Sequence, residues 1–124
     1  MATDMNIWRR RAVDQLQHIA DEDFQRIVWF GGGGGRWVDS PTETICSYDD
    51  LLVPRILAEP DHGLDAEQVV QLRRLESLMD DLVENTPDSI RPEDLIDDPR
   101  WREIRKQAVV TLAVLSKDDA AVQP

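Results

Sequence analysis

The stretch from Gly63 to Glu84 constrains this chain more than any other, because it combines a readable helix start with a clean helical period. Asp65 is placed to cap the first free backbone N–H groups, and Gln68, three residues on, can reach back to it. Leu64 and Val69 fall at the two positions of a hydrophobic staple. Val69, Leu72, Leu75, Met79, Leu82 and Val83 then recur mostly at three- and four-residue steps, the signature of one apolar helical stripe. Pro87, which lacks an N–H and restricts Thr86, predicts the end near Asn85. The other apolar segments are shorter, so the spacing predicts that they pack on this helix as a central surface.

Asn6 is a candidate cap for a first helix, with Trp8, Ala12, Leu16 and Ile19 on one face. Arg9, Arg10 and Arg11 oppose the dipole of its first turns, and their simplest role is pairing with acids elsewhere. Asp21-Glu22-Asp23 predicts a second N-terminus, followed by a short face of Phe24, Ile27 and Val28. Ser40-Pro41-Thr42-Glu43 opens a third helix carrying Ile45, Tyr48 and Leu52 inward, and Pro54 closes it. Arg55 to Ala58 adds at most a turn. Asp88 to Asp98 predicts a turn or two anchored by Ile90, Leu95 and Ile96. Asp98-Pro99 then starts a last helix whose stripe is Trp101, Ile104, Ala108, Leu112 and Leu115. Trp8–Leu16 and Ile104–Leu112 both set alanine and leucine four apart, which suits two helices closely approaching a common partner. The expected architecture is a single all-α domain spanning 1–124, a bundle of four to five helices around the central one. Residues 1–5 and 117–124 read as disordered tails, and 30–37, with five consecutive glycines, as a mobile loop.

That glycine run invites a nucleotide-binding reading, which its context excludes: no strand precedes it and no Gly-Lys-Ser/Thr follows. Trp29 and Trp37 bracket it; they pack beneath the loop or, if one is exposed, frame a protein-binding spot. A net charge of −11 argues against a nucleic-acid partner and would speed encounter with a basic protein. No apolar run is long enough to span a membrane, and no apolar block marks a secretory signal. The single cysteine, Cys46, cannot form an internal disulfide, which fits a cytoplasmic protein, and its place beside Ile45 predicts a buried, inert thiol. His18 and His62 lack metal-ligand partners at useful spacing.

Glu76 to Asp98 holds nine acids and one arginine, a net −8 of the chain's −11. Three readings compete: a solvated face partly paired with nearby arginines, a docking surface for a basic protein, and a magnesium site. The last would set Asp80, Asp81 and Glu84 opposite Asp94 and Asp97, as in all-helical nucleotide pyrophosphohydrolases. The glutamate pairs those enzymes carry are missing here.

Trp8 through Leu16, Gln25-Arg26-Ile27-Val28-Trp29-Phe30, Tyr48-Asp49-Asp50, the leucine-rich helix and Asp98-Pro99-Arg100-Trp101 together resemble small acidic helical proteins of bacterial immunity type. The resemblance implies a non-enzymatic protein that binds and neutralises a cognate toxin domain, often a basic nuclease, without cofactor or metal. On that reading the binding residues are Asp80, Asp81, Glu84, Asp94, Asp97 and Asp98, with Tyr48, Asp49 and Asp50 as a second patch. The five glycines depart from the pattern.

Overall fold

A computed structural model describes residues 4–30, 40–87 and 90–122, with side chains as far as 116. The described residues form helices and connecting turns, with no strand. The helices are α1 (Met5–Ala20), α2 (Glu22–Trp29), α3 (Pro41–Asp49), α4 (Val53–Ala58), α5 (Ala66–Glu84), the single turn α6 (Pro92–Leu95) and α7 (Pro99–Val122). The fold is all-α, as the periodicity predicts.

The centre is α7, and this corrects the expectation that Gly63–Glu84 organises the chain. The most extensive packing in the molecule is of α7 against α5 on one side and against α1 on the other. Ala12 on α1 and Ala108 on α7 are fully buried, as are Trp101 and Ile104. The repeated Ala/Leu spacing therefore belongs to two helices packed on each other, not on a shared third. Small residues at such positions let helix backbones approach closely. Burying each large apolar side chain in this layer is worth about 1.5–3 kcal/mol.

α5 starts as its sequence dictates. The Asp65 carboxylate accepts from Gln68 N at 2.8 Å, and the Gln68 side chain accepts from Asp65 N at 3.0 Å. Gln68 Nε2 also donates to Val114 O at 3.0 Å, so one buried residue caps α5 and ties it to α7. Further along, Gln107 donates to Gln71 Oε1 at 2.8 Å, a second polar tie across the same helix pair.

Three indoles pin the remaining helices, each with its N–H satisfied inside the protein. Trp8 donates to Leu51 O at 2.8 Å, joining α1 to the turn after α3. Trp29 donates to Thr44 Oγ1 at 3.1 Å, and its ring lies 5.5 Å from that of Trp101. Trp101 donates to Gln25 Oε1 at 3.0 Å, while Gln25 Nε2 donates to His18 O and Ile19 O, each at 2.8 Å. Gln25 is only 1% exposed and closes the corner between α1, α2 and α7. It takes the inward position that the sequence assigns to Ile27, which is exposed, because α2 turns Gln25, Val28 and Trp29 to the core.

Other expectations also shift. Asp4 rather than Asn6 caps α1, because the chain turns two residues earlier and the Asp4 carboxylate accepts from Asn6 N and Ile7 N. α3 stops at Asp49, and Leu52, predicted inward, is half-exposed in the left-handed region at φ 52°. That reversal lets Pro54 sit in the first turn of a separate helix, so the helices outnumber the four to five predicted. Val83 is exposed at the flank of the α5 stripe. Cys46 is exposed too, because α3 turns Pro41, Thr44 and Tyr48 inward. The backbone of α7 stays helical to Val122, into the stretch 117–124 read from the sequence as a tail, since no glycine or proline interrupts 117–122. The glycine loop and Trp37 lie outside the described residues, as do 1–3, 88–89 and 123–124.

Candidate functional site

Ser40 Oγ accepts from Glu43 N at 3.1 Å and Pro41 occupies the first turn, so α3 is started by a capping serine and a proline preset for helical geometry. Its period then drives Tyr48 inward until only 2% of the residue is exposed. A phenol buried this far needs a partner, and it finds one on α5: Tyr48 Oη donates to Glu76 Oε2 at 2.6 Å. Glu76 follows the fully buried Leu75, so α5 presents its carboxylate at the edge of the core.

Beside this pair, α3 and α5 diverge and leave a cleft of about 280 Å³, bounded at one end by the segment around Thr86, Pro87 and Ile90. Ile45, Met79, Leu82, Val83 and Ile90 make its walls apolar, and Asp49, Glu76, Asp80 and Glu84 give it an acidic rim. Within the same lining, Thr86 Oγ1 is buried and has no hydrogen-bond partner among the described residues.

The electrostatics follow from that composition. Burial pushes the Glu76 carboxyl above its ordinary range, and the negative charges of Asp80 and Asp49 push it the same way; the Tyr48 hydrogen bond opposes them. Burial also holds the Tyr48 phenol well above the usual phenol range, helped by its bond to Glu76 and by the charges of Glu76, Asp80 and Asp49. Three carboxylates thus act on one spot. Among the described residues, no guanidinium or ammonium group lies within 4.0 Å of them. A perturbed carboxyl lining a cleft is a mark of functional sites.

The acids singled out in the sequence divide into four groups. Asp80, Glu84 and Asp49 line the cleft, while Asp81 is exposed on the adjoining surface, a hollow that Arg73 shares with Glu76, Asp80 and Glu84. Asp50 points elsewhere, into a hollow beside Arg11, Asp14 and Gln15. Asp94, Asp97 and Asp98 do not join a common acidic face, because each is held by an arginine of the chain itself. Asp94 pairs with Arg91 at 3.1 Å, Asp97 with Arg26 at 2.9 Å, and Asp98 with Arg100 at 2.7 Å. The Arg100 guanidinium keeps the Asp98 carboxyl below its ordinary range. Arg26 also holds Glu22, which Arg105 holds in turn at 3.1 Å, so Asp97 ends a structural chain linking α2 to α7.

Tyr48, almost fully buried in the floor of the cleft, is the group that orients Glu76. Glu76 itself stands in the acid run without distinction. The only trace of its position is that it directly follows an inward leucine on α5. The magnesium arrangement gains no support: Asp94 and Asp97 are engaged by arginines, and no three His, Cys, Asp or Glu side chains converge as ligands among the described residues.

No protein-family model, curated protein or solved structure matches this chain. What the cleft can do follows from its own chemistry. Apolar walls with carboxylates at the rim suit an occupant with an aliphatic body and a cationic end.

Proposed function

We propose that this chain is a non-enzymatic, cytoplasmic binding protein that docks a basic protein partner in the cleft between α3 and α5. Following its resemblance to immunity-type proteins, that partner is a toxin domain, neutralised by occlusion of its active site. The observation that supports this best is the cluster of Glu76, Asp80 and Asp49 on an apolar cleft, none of them ion-paired within 4.0 Å among the described residues. Complementary charge across an interface speeds association and selects partners. Consistent with a role away from the bilayer, no helix among the described residues is long and apolar enough to cross a membrane.

The test is association with a basic protein domain, sought first at the end of the product of the gene immediately upstream. Asp80→Lys with Glu84→Lys lowers the on-rate about tenfold or more at low salt and flattens its salt dependence. Asp94→Lys, on the arginine-paired segment, changes the rate far less. An on-rate unchanged by the double reversal refutes the cleft as the docking surface.

A further inference from the structure

The shape of the cleft narrows what its occupant presents. The walls formed by Ile45, Met79 and Leu82 cannot satisfy a polar chain, so the part of the occupant lying along them is hydrocarbon. At the rim, one carboxylate is held in a fixed orientation, because Glu76 Oε2 receives the buried Tyr48 hydroxyl at 2.6 Å. Its second oxygen is not claimed by Tyr48, and Asp80 and Asp49 lie close enough for their charges to act on it.

Two cationic side chains combine a hydrocarbon stem with a charged tip. Lysine carries a compact, strongly hydrated ammonium that loses much on entering an apolar site. Arginine carries a flat, weakly hydrated guanidinium with five N–H donors in a fixed fork. Several acceptors spread around one end of a cleft match the fork better than a point charge, and arginine is enriched among the residues that dominate interfaces.

We infer that the cleft between α3 and α5 seats one arginine side chain of the protein partner, with its stem along Ile45, Met79 and Leu82 and its guanidinium received by Glu76, Asp80 and Asp49. This rests on the reading of the cleft as a docking surface and specifies its occupant. Tyr48 is then a positioning residue: its hydroxyl is engaged by Glu76, and it fixes the carboxylate that meets the partner's charge.

The test uses the full chain, isotopically labelled, and three short capped peptides of the form Leu-Xaa-Leu, with arginine, lysine or citrulline at the centre. Citrulline keeps the stem and the planar end but carries no charge. The expected result is that the arginine peptide shifts the resonances of Ile45, Met79 and Glu76. The citrulline peptide binds about tenfold more weakly or worse, since a charge-assisted bond is lost. Glu76→Gln weakens arginine binding by a similar factor, whereas Tyr48→Phe weakens it less, leaving the carboxylate present but free to turn. Equal binding of arginine and citrulline peptides overturns the arginine assignment and leaves the cleft a docking surface for apolar segments. Lysine binding as tightly as arginine overturns it equally. If no peptide shifts cleft resonances, while Asp80→Lys with Glu84→Lys still slows association of the basic domain, the arginine seat fails and the docking surface survives. If neither effect is seen, both fail.

Discussion

Gln25→Ala is expected to cost roughly 4–6 kcal/mol of stability, far more than a glutamine in a short helix suggests. Gln25 is 1% exposed and serves three partners: the Trp101 indole N–H at 3.0 Å and the carbonyls of His18 and Ile19, both at 2.8 Å. Removing the amide orphans a buried indole N–H, which costs about 1–3 kcal/mol on its own. It also frees two carbonyls in the last turn of α1, where no intrahelical donor remains. Each adds about 1 kcal/mol, and the cavity left by the truncated side chain adds a similar amount. Against a total stability on the order of 5–15 kcal/mol, that is a large fraction. The assay is urea unfolding followed by far-UV circular dichroism, with the slope checked so that a change in midpoint reports stability alone. Gln25→Leu, which refills the space but not the bonds, separates the polar part from the cavity part. Paired with Trp101→Phe, Gln25→Ala is expected to show a coupling of about 1 kcal/mol or more. A cost below about 1 kcal/mol for Gln25→Ala, or simple additivity with Trp101→Phe, refutes the corner as a cooperative polar joint.

Two further outcomes follow from local geometry. Because the Glu76 carboxyl is raised in the folded chain, the fold holds that proton more tightly than the unfolded chain does. Its contribution is therefore complete below the ordinary glutamate range and is lost as pH rises through the raised value. Glu76→Gln removes this loss, so the variant gains on the parent as pH is raised from the acid range toward neutrality; a stability difference flat with pH contradicts this. Leu52 adopts a left-handed conformation at φ 52° while half-exposed, a strain on the order of 1 kcal/mol for a residue with a Cβ. Leu52→Gly is expected to raise stability by roughly 0.5 kcal/mol after the flexibility it gives the unfolded chain is set against it. A loss on thermal unfolding shows that the exposed leucine contributes more by packing.

What could be read from the sequence was whatever is decided within one or two helical turns. The Asp65/Gln68 capping box is local, and so are Ser40-Pro41 and the faces set by Trp8, Ala12, Leu16 and Ile19. What escaped depends on partners distant in the chain. A glutamine at position 25 looks like a surface residue until Trp101 arrives to meet it. Asp97 looks like part of an acidic flank until Arg26 crosses over to it. Periodicity also reports that a helix has a buried face without saying how many helices that face meets, so α5 and α7 could not be ranked. For the cleft, Asp80, Glu84 and Asp49 were readable as charge, but Glu76 became distinct only when Tyr48 was seen pointing at it.

The central position of α7 has a bearing on how the protein comes into being. The first helix leaves the ribosome long before the helix it packs against has been translated. Until then its tryptophan, leucine and isoleucine face water, and neither α1 nor α5 has its main neighbour. Assembly is therefore held back until α7 has been made, and a chain stalled before α7 emerges presents the very apolar surfaces that chaperones and proteases recognise.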